Sequence, residues 1–327
     1  MDSASKRKLS ENELHKVTAL AFPGSTLINA VEITDGWANS IYVLTVKSKK
    51  DETTQSVLKV AANNPDSLMR YERDLMTAEV EAYHLSKEAG LSFIPNVLYH
   101  DPSLEVIDTE YFVMSLLPGQ AYSKVKPILS ALQRSKIEYQ FGMYNRALNE
   151  ITGTRFGYLA QKKRQCSTWR EAFLTMLEDQ FADAADRKVN MPASIEEIRE
   201  AMHRISDCLD EVTVPRLVLW DIWDGNIMVE NGEITGLIDF ERAFWGDPLM
   251  ENYFNHFQDS KAFRDGYGIG ELTELQKSRL NLYNLYVDII MWVECDFRKY
   301  TDPEHTKWAW NNLLKGWEDF NSRVDHD

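Results

Sequence analysis

The chain is short of cysteine, of positive charge and of long apolar runs, and each shortage closes off a class of protein. Only 3 cysteines occur in 327 residues. Cys166, Cys208 and Cys295 are far apart, odd in number and outside any C-x-x-C spacing. That excludes a disulfide framework or zinc ribbon and leaves reduced or buried thiols of a cytosolic protein. No apolar stretch approaches the ~20 residues that span a bilayer. The N-terminal MDSASKRKLSENELHK carries positive charge without an apolar segment behind it, so a secretory signal is not expected. A cytoplasmic protein with no membrane partner is. Lys and Arg number 36 against 51 Asp and Glu, a formal net charge of −15. Neutralising phosphates along a nucleic acid needs clustered cations, so that partner is not expected either. The same acidity suits a cationic small molecule and equally suits plain solubility.

Several chemistries lack their signature. There is no H-E-x-x-H, no Walker G-x-x-x-x-G-K-[ST] and no Ser in a G-x-S-x-G elbow. The 7 histidines are scattered, none at metal-ligand spacing. Gly266-Tyr267-Gly268-Ile269-Gly270 follows no strand, so a dinucleotide loop fails its context. What is present is the composition of an ordinary folded chain, 44% hydrophobic and 27% charged, with length for one large or two ordinary domains.

The informative stretch is LVLWDIWDGNIMVENGEITGLIDFERAFWGDPLMENYF, from Leu217 to Phe254. Asn231-Gly232 between two short apolar runs is a strong hairpin signal. A two-residue turn there pairs Glu230 with Glu233, Val229 with Ile234 and Ile227 with Gly236. Asn226 then leaves one strand end close to where Asp239 leaves the other, and Asp221 lies five residues before Asn226. Two carboxylates and an amide gathered in this way suit a hard cation such as Mg²⁺ together with substrate phosphates. One carboxylate, Asp221, is left to accept a proton from a hydroxyl.

Asp221-x-x-x-x-Asn226, then Ile238-Asp239-Phe240-Glu241, then Gly246-Asp247-Pro248 resemble the motifs of the aminoglycoside phosphotransferase and choline kinase family. The resemblance implies a two-lobed, protein-kinase-like α+β fold, with a five-stranded antiparallel sheet plus helix in the N-terminal lobe (about 1–115). A larger, mainly helical lobe (about 116–327) follows it. It also implies roles: Asp221 as catalytic base, Asn226 and Asp239 as Mg²⁺ ligands. The family usually has His two residues before the catalytic Asp; here that position is Leu219, which puts the loop's geometry in question. Asp224, Glu241 and Asp247 are polar neighbours without separate roles.

The N-terminal region fits the same scheme. Ser10-Glu11-Asn12-Glu13 is a capping box that predicts a helix from about Glu11 to Ala21. Strand-like runs follow at Thr26–Thr34, Ser40–Val46, Ser56–Val60, Ile94–Tyr99 and Glu110–Met114. The Asp35–Ser40 loop, including Asn39, resembles a sparse nucleotide loop and reads equally as an ordinary turn. Lys59 sits in the third strand between apolar neighbours, where a kinase holds phosphates. The following helix, expected over Leu68–Ala89, offers Glu79 as the partner of Lys59, with Glu81 as the alternative. The linker Ser115–Gly119, with Met114 and Leu116 flanking its start, lies where the family's backbone meets the adenine. Further helices are expected over Lys126–Ile151, Trp169–Ala185, Ser194–Val212, Pro248–Phe263, Thr273–Tyr300 and Pro303–Phe320. Asp288, Glu294 and Asp296 on the fifth of these either face a substrate cleft or are simply solvated.

The expectation that results is transfer of the γ-phosphate of ATP or GTP to a hydroxyl of a small molecule. Aminoglycosides, macrolides, choline or ethanolamine, and sugar-like metabolites are acceptors of such relatives. Two competitors stand beside it. One is a catalytically silent kinase-like protein that only binds nucleotide or ligand. The other is a helical interaction protein whose acids form a solvated face.

Overall fold

The computed structural model describes residues 6–33, 39–62, 68–258, 260–300 and 302–324. Helix α1 (Glu11–Ala21) begins at the expected capping box: Ser10 Oγ accepts from the Glu13 N–H at 3.3 Å, and the Glu13 carboxylate accepts from the Ser10 N–H at 2.8 Å. Strands β1 (Thr26–Ile33), β2 (Ser40–Lys47) and β3 (Thr53–Val60) form an antiparallel meander. Residues 35–38 of the expected nucleotide loop, and Thr34 at the end of the first expected strand, lie outside the described residues; Asn39 lies within them. Strands β4 (Val97–Asp101) and β5 (Tyr111–Ser115) complete a five-stranded antiparallel sheet in the order β1-β2-β3-β5-β4.

Alternation along β2 sends Tyr42, Leu44 and Val46 into a core with Val17, Leu58, Val60, Ile107, Tyr111 and Val113. Lys59, between Leu58 and Val60, points to the other face. Phe112 also lies on that face, and its ring meets Tyr83 of helix α2 (Leu75–Glu88) at 6.2 Å. The helix is shorter than the expected Leu68–Ala89. Arg70–Glu72 make a single 3₁₀ turn, and Asp74 at φ 58° breaks the helical path before Leu75.

The chain continues through β6 (Gln120–Ala121), α3 (Tyr122–Val125), α4 (Ala131–Asn149), β7 (Gly157–Tyr158) and α5 (Trp169–Arg187). Then come α6 (Ile195–Arg204), β8 (Arg216–Val218), β9 (Ile227–Glu230), β10 (Glu233–Leu237) and β11 (Phe244–Gly246). It ends with α7 (Lys261–Tyr267), α8 (Glu274–Arg298) and α9 (Pro303–Val324). Three predicted helices are altered. The one expected from Lys126 starts only at Ala131, because Ser130 and Gln133 form a capping box there. The one expected from Ser194 ends at Arg204 and gives way to a 3₁₀ stretch, Ser206–Glu211. The one expected over Pro248–Phe263 is two 3₁₀ turns, and α7 begins at Lys261. Glu251 between those turns has an extended backbone, ψ 144°.

The Asn231-Gly232 hairpin is present, with φ 53° and 80° at the two turn residues. Glu230 pairs with Glu233 and Val229 with Ile234, as expected, but the outer register differs: Gly236 pairs with Met228 and Ile227 with Leu237. The extra residue is Thr235, whose hydroxyl donates to the Pro118 carbonyl at 2.6 Å. Strand β6 adds to the free edge of β9. Gly119 before it has φ 96°, and a Cβ there would lie 2.3 Å from the Val229 carbonyl oxygen.

Two compact units result, and neither is a continuous stretch. The first comprises 1–65, 75–128 and 224–241; the second 66–74, 129–223 and 242–327. The second unit has an aromatic core. Trp169 stacks on Phe244 with ring centroids 5.9 Å apart, and its Nε1–H donates to the Tyr283 hydroxyl at 2.7 Å.

Candidate active site

In the first unit the buried ammonium of Lys59 is the centre of an ion cluster. It donates to Glu79 Oε2 at 2.6 Å, to Asp239 Oδ1 at 2.6 Å and to Glu241 Oε2 at 2.9 Å. Of the two candidates on α2, Glu79 is the one that reaches it. A fifth residue, which the sequence does not single out, closes the arrangement. The Tyr83 hydroxyl donates to Glu79 Oε1 at 2.7 Å and accepts from the Asp239 N–H at 3.0 Å. Asp239, Tyr83, Glu79 and Lys59 thus form a closed ring of hydrogen bonds. Tyr83 is one helical turn beyond Glu79, so its presence on the same face was open to inference.

The electrostatics of this ring are unbalanced. Three carboxylates meet one ammonium, a formal surplus of two negative charges; Lys59 and Glu79 are buried, while the Asp239 side chain is 39% exposed. Burial opposes the charge on Lys59, but Asp239, Glu241 and Glu79 outweigh it and hold its pKa well above the ordinary lysine value. Glu79 goes up to about 7: burial is the main cause, Lys59 pulls down, and Asp239 and Glu241 push up again. Lys59 therefore stays cationic and the surplus negative charge is spread over the acids. A surplus of this size suits a divalent cation, and the ligand oxygens of Glu79, Asp239 and Glu241 lie within 4.8 Å of one another. The donor set is oxygen only, as Mg²⁺ requires.

The hairpin delivers the other candidates. The Ile238 N–H donates to the Asn226 carbonyl at 3.0 Å, so Asn226 and Asp239 leave neighbouring strand ends. Asn226 is 7% exposed. Asp224, close to it in the chain, pairs with Lys126 at 2.7 Å. Asn39 is drawn into the ion cluster: its Nδ2 donates to Glu241 at 2.7 Å and its Oδ1 accepts from the Ala62 N–H at 3.3 Å. Glu241 thus holds Lys59 and the end of the β1–β2 loop together. Met114 is buried in β5, opposite Val57 and Val97, while Leu116 just beyond the strand is 39% exposed.

In the second unit Asp221 lies on a loop whose backbone is held from behind. The Leu219 and Trp220 N–H groups donate to the two oxygens of Glu251, each at 3.1 Å. Asn149 Nδ2 donates to the Leu217 carbonyl at 2.7 Å and to Glu251 at 2.8 Å. Trp220 adopts φ 63°, and the Asp221 N–H folds back onto the Leu219 carbonyl at 2.8 Å. A bulky residue in that backbone region persists only when its surroundings over-determine it, and Glu251 does so. The loop is thereby fixed with Leu219 in place of a histidine. Asp247 turns out to be structural: it accepts from Arg279 Nε at 2.7 Å and from the Tyr283 hydroxyl at 2.9 Å. On α8, Asp288 is buried against His256 at 3.2 Å, and Glu294 is half-buried, accepting from the Tyr300 hydroxyl at 2.8 Å.

A strand lysine locked to a helix glutamate, with a second acid brought in by a hairpin, defines a kinase-like phosphotransferase scaffold. The chain belongs to the phosphotransferase enzyme family, whose model matches residues 29–279. A search of curated proteins finds no match. Among solved structures it is similar to a thermostable mutant of aminoglycoside phosphotransferase APH(4)-Ia. That match has TM-score 0.68 and 18% identity, covering 95% of this chain and 99% of the other. It is also similar to the streptomycin–ATP ternary complex of APH(2")-IIa, with TM-score 0.60 and 16% identity over 94% and 97% of the two chains. An aminoglycoside phosphotransferase described as putative, from Ralstonia eutropha, matches with TM-score 0.57 and 12% identity over 96% and 99%. At these identities the likeness is one of fold.

Proposed function

We propose that the protein transfers the γ-phosphoryl group of ATP or GTP to a hydroxyl of a small molecule, with Asp221 as the catalytic base. The observation that carries this reading is the closed ring around Lys59. A buried cation held at a fixed point by Glu79 and Asp239 is pre-organised to receive phosphate oxygens, and fixed dipoles and charges are what such a reaction needs. Neighbouring proteins of the same fold were crystallised with ATP, with AMP-PNP and with ADP, which agrees with a nucleotide donor.

In this reading Lys59 binds the α- and β-phosphates, Glu79 and Tyr83 fix its position, and Asn39 braces the loop above them through Glu241. Backbone groups between Met114 and Leu116 meet the base. Asn226 and Asp239 would hold Mg²⁺, which supplies charge neutralisation for the phosphate oxygens when bound. Asp221 orients the acceptor hydroxyl and takes its proton as the new oxygen–phosphorus bond forms. The bond to the β-phosphate oxygen breaks and the nucleoside diphosphate leaves.

The test is a screen of hydroxyl-bearing compounds for phosphate transfer from labelled ATP and GTP with Mg²⁺. Its panel includes aminoglycosides such as hygromycin B, gentamicin and streptomycin, macrolides, choline, ethanolamine and sugars. A phosphorylated acceptor, absent with Asp221→Asn, is the expected result. Nucleotide binding without transfer to any acceptor or to water would favour the silent, ligand-binding reading.

A further inference from the structure

The second unit contains a buried charge network that ends on Asp221. Arg242 Nε lies 3.4 Å from Asp221 Oδ2. Its Nη2 lies 3.5 Å from Glu72 Oε1 and 3.7 Å from Glu294 Oε2. Arg298, from the end of α8, pairs with the same Glu72 and sits 3.6 Å from Glu294. The guanidinium of Arg242 also packs on two aromatic rings that meet edge to face, 5.5 Å from the centroid of Tyr71 and 5.7 Å from that of Trp220. Its side chain is 14% exposed, whereas that of Asp221 is 41% exposed. Asp221 is therefore the open end of the network, and the two arginines and two glutamates are its closed part.

The arrangement has a chemical asymmetry. The loop Asp221-Ile222-Trp223-Asp224-Gly225-Asn226 contains no Lys or Arg. Arg242 brings a cation to its carboxylate from a different segment, and the adjoining rings of Tyr71 and Trp220 together with Glu72 and Glu294 hold that cation in place. The Nε of Arg242 is buried with no hydrogen bond among the described residues. It stands just beyond hydrogen-bonding geometry from Asp221. The facing charged and titratable groups are Glu72 and Tyr71 from the 3₁₀ turn before α2, Glu294 and Arg298 from α8, Tyr300 after it and His305 from α9.

We propose that Arg242 is a positioning residue for Asp221, holding one carboxylate oxygen so that the other is presented to the acceptor hydroxyl. This inference rests on the reading of Asp221 as catalytic base. Glu72, Glu294, Arg298, Tyr71 and Trp220 hold Arg242 in turn. Glu294 competes with Asp221 for the same guanidinium, so the two acids have opposing effects on one another through it.

The experiment uses the full chain with ¹³C-labelled aspartate carboxyls, the Asp221 resonance being assigned by its loss in Asp221→Asn. Arg242→Gln removes a cation beside Asp221 and is expected to raise its titration midpoint by about one pH unit. Arg242→Lys restores most of the shift, because charge returns without the fork. Glu294→Gln frees the guanidinium and moves the midpoint the other way. Hydrolysis of Mg·ATP, with water as the acceptor probe, is expected to fall about tenfold in Arg242→Gln, with its acidic limb following the titration. Midpoints unmoved in both Arg242→Gln and Glu294→Gln would overturn the pairing, even where one of them is poorly folded. A shifted midpoint with unchanged hydrolysis would overturn the positioning role. Wild-type protein that shows the shifts and never turns over ATP would leave the pairing intact and sink the phosphotransfer reading instead.

Discussion

Lys59 shows how much of a site one buried side chain can organise. Its ammonium has three carboxylate partners, and Glu79 is also held by Tyr83. If Glu79 acts only by fixing Lys59, Lys59→Ala removes most transferase activity and Glu79→Ala removes less. The double variant is then barely worse than Lys59→Ala alone; fully additive losses in kcat/KM would show that the two act separately. Glu79 also sets a pH dependence. Its folded pKa of about 7 lies above the ordinary value of 4.5, chiefly through burial. The stability it contributes is therefore complete below about pH 4.5 and is lost as pH rises through about 7. Urea unfolding across that window should show a downward slope with pH in wild type that Glu79→Gln lacks. Equal slopes would mean that the surplus charge is borne elsewhere. Lys59 and Glu79 were legible because alternation and helical spacing place them. Glu241 was not: only the hairpin's true register brings it onto Lys59.

At the level of elements, the loop before Asp221 depends on a residue thirty positions further on. Glu251 falls within the helix expected over Pro248–Phe263; instead it sits with extended backbone between two 3₁₀ turns, and its buried carboxylate takes two loop N–H groups. Glu251→Ala leaves those two donors without their acceptor and removes one of the two bonds made by Asn149 Nδ2, and is expected to cost about 3 kcal/mol of stability. Transfer should fall far more than nucleotide affinity does; calorimetric ATP binding beside a transfer assay checks this, and a parallel loss of both would argue against it. Gly119→Ala is expected to cost about 2 kcal/mol or more, since φ 96° is strained for alanine and its Cβ meets the Val229 carbonyl. Thermal unfolding measures it. Capping boxes made α1 and α8 readable, and the Asn-Gly turn made the hairpin readable. The Thr235 bulge and strands of two or three residues carry no periodicity, so only packing reveals them.

For the whole molecule, Asp221→Asn and Asp239→Ala are expected to fail differently. Asp221→Asn should abolish transfer while Mg·ATP still raises the melting temperature. Asp239→Ala should lose the part of that stabilisation that requires Mg²⁺. Identical thermal shifts in both variants would count against the division of roles. Among the described residues no helix is long and apolar enough to cross a membrane. The chain passes from one compact unit to the other five times, after residues 65, 74, 128, 223 and 241. That winding has a consequence for synthesis. The first unit cannot be completed while its last segment, 224–241, is still unmade, although its sheet is finished by Ser115. At ordinary translation rates, Lys59 and Glu79 wait on the order of ten seconds for Asp239 and Glu241 to emerge. During that interval the lysine has one acid instead of three, and the nascent chain carries the sheet without Asp239 and Glu241. A ribosome stalled between residues 128 and 223 should therefore display a folded sheet with no Mg²⁺-dependent nucleotide affinity.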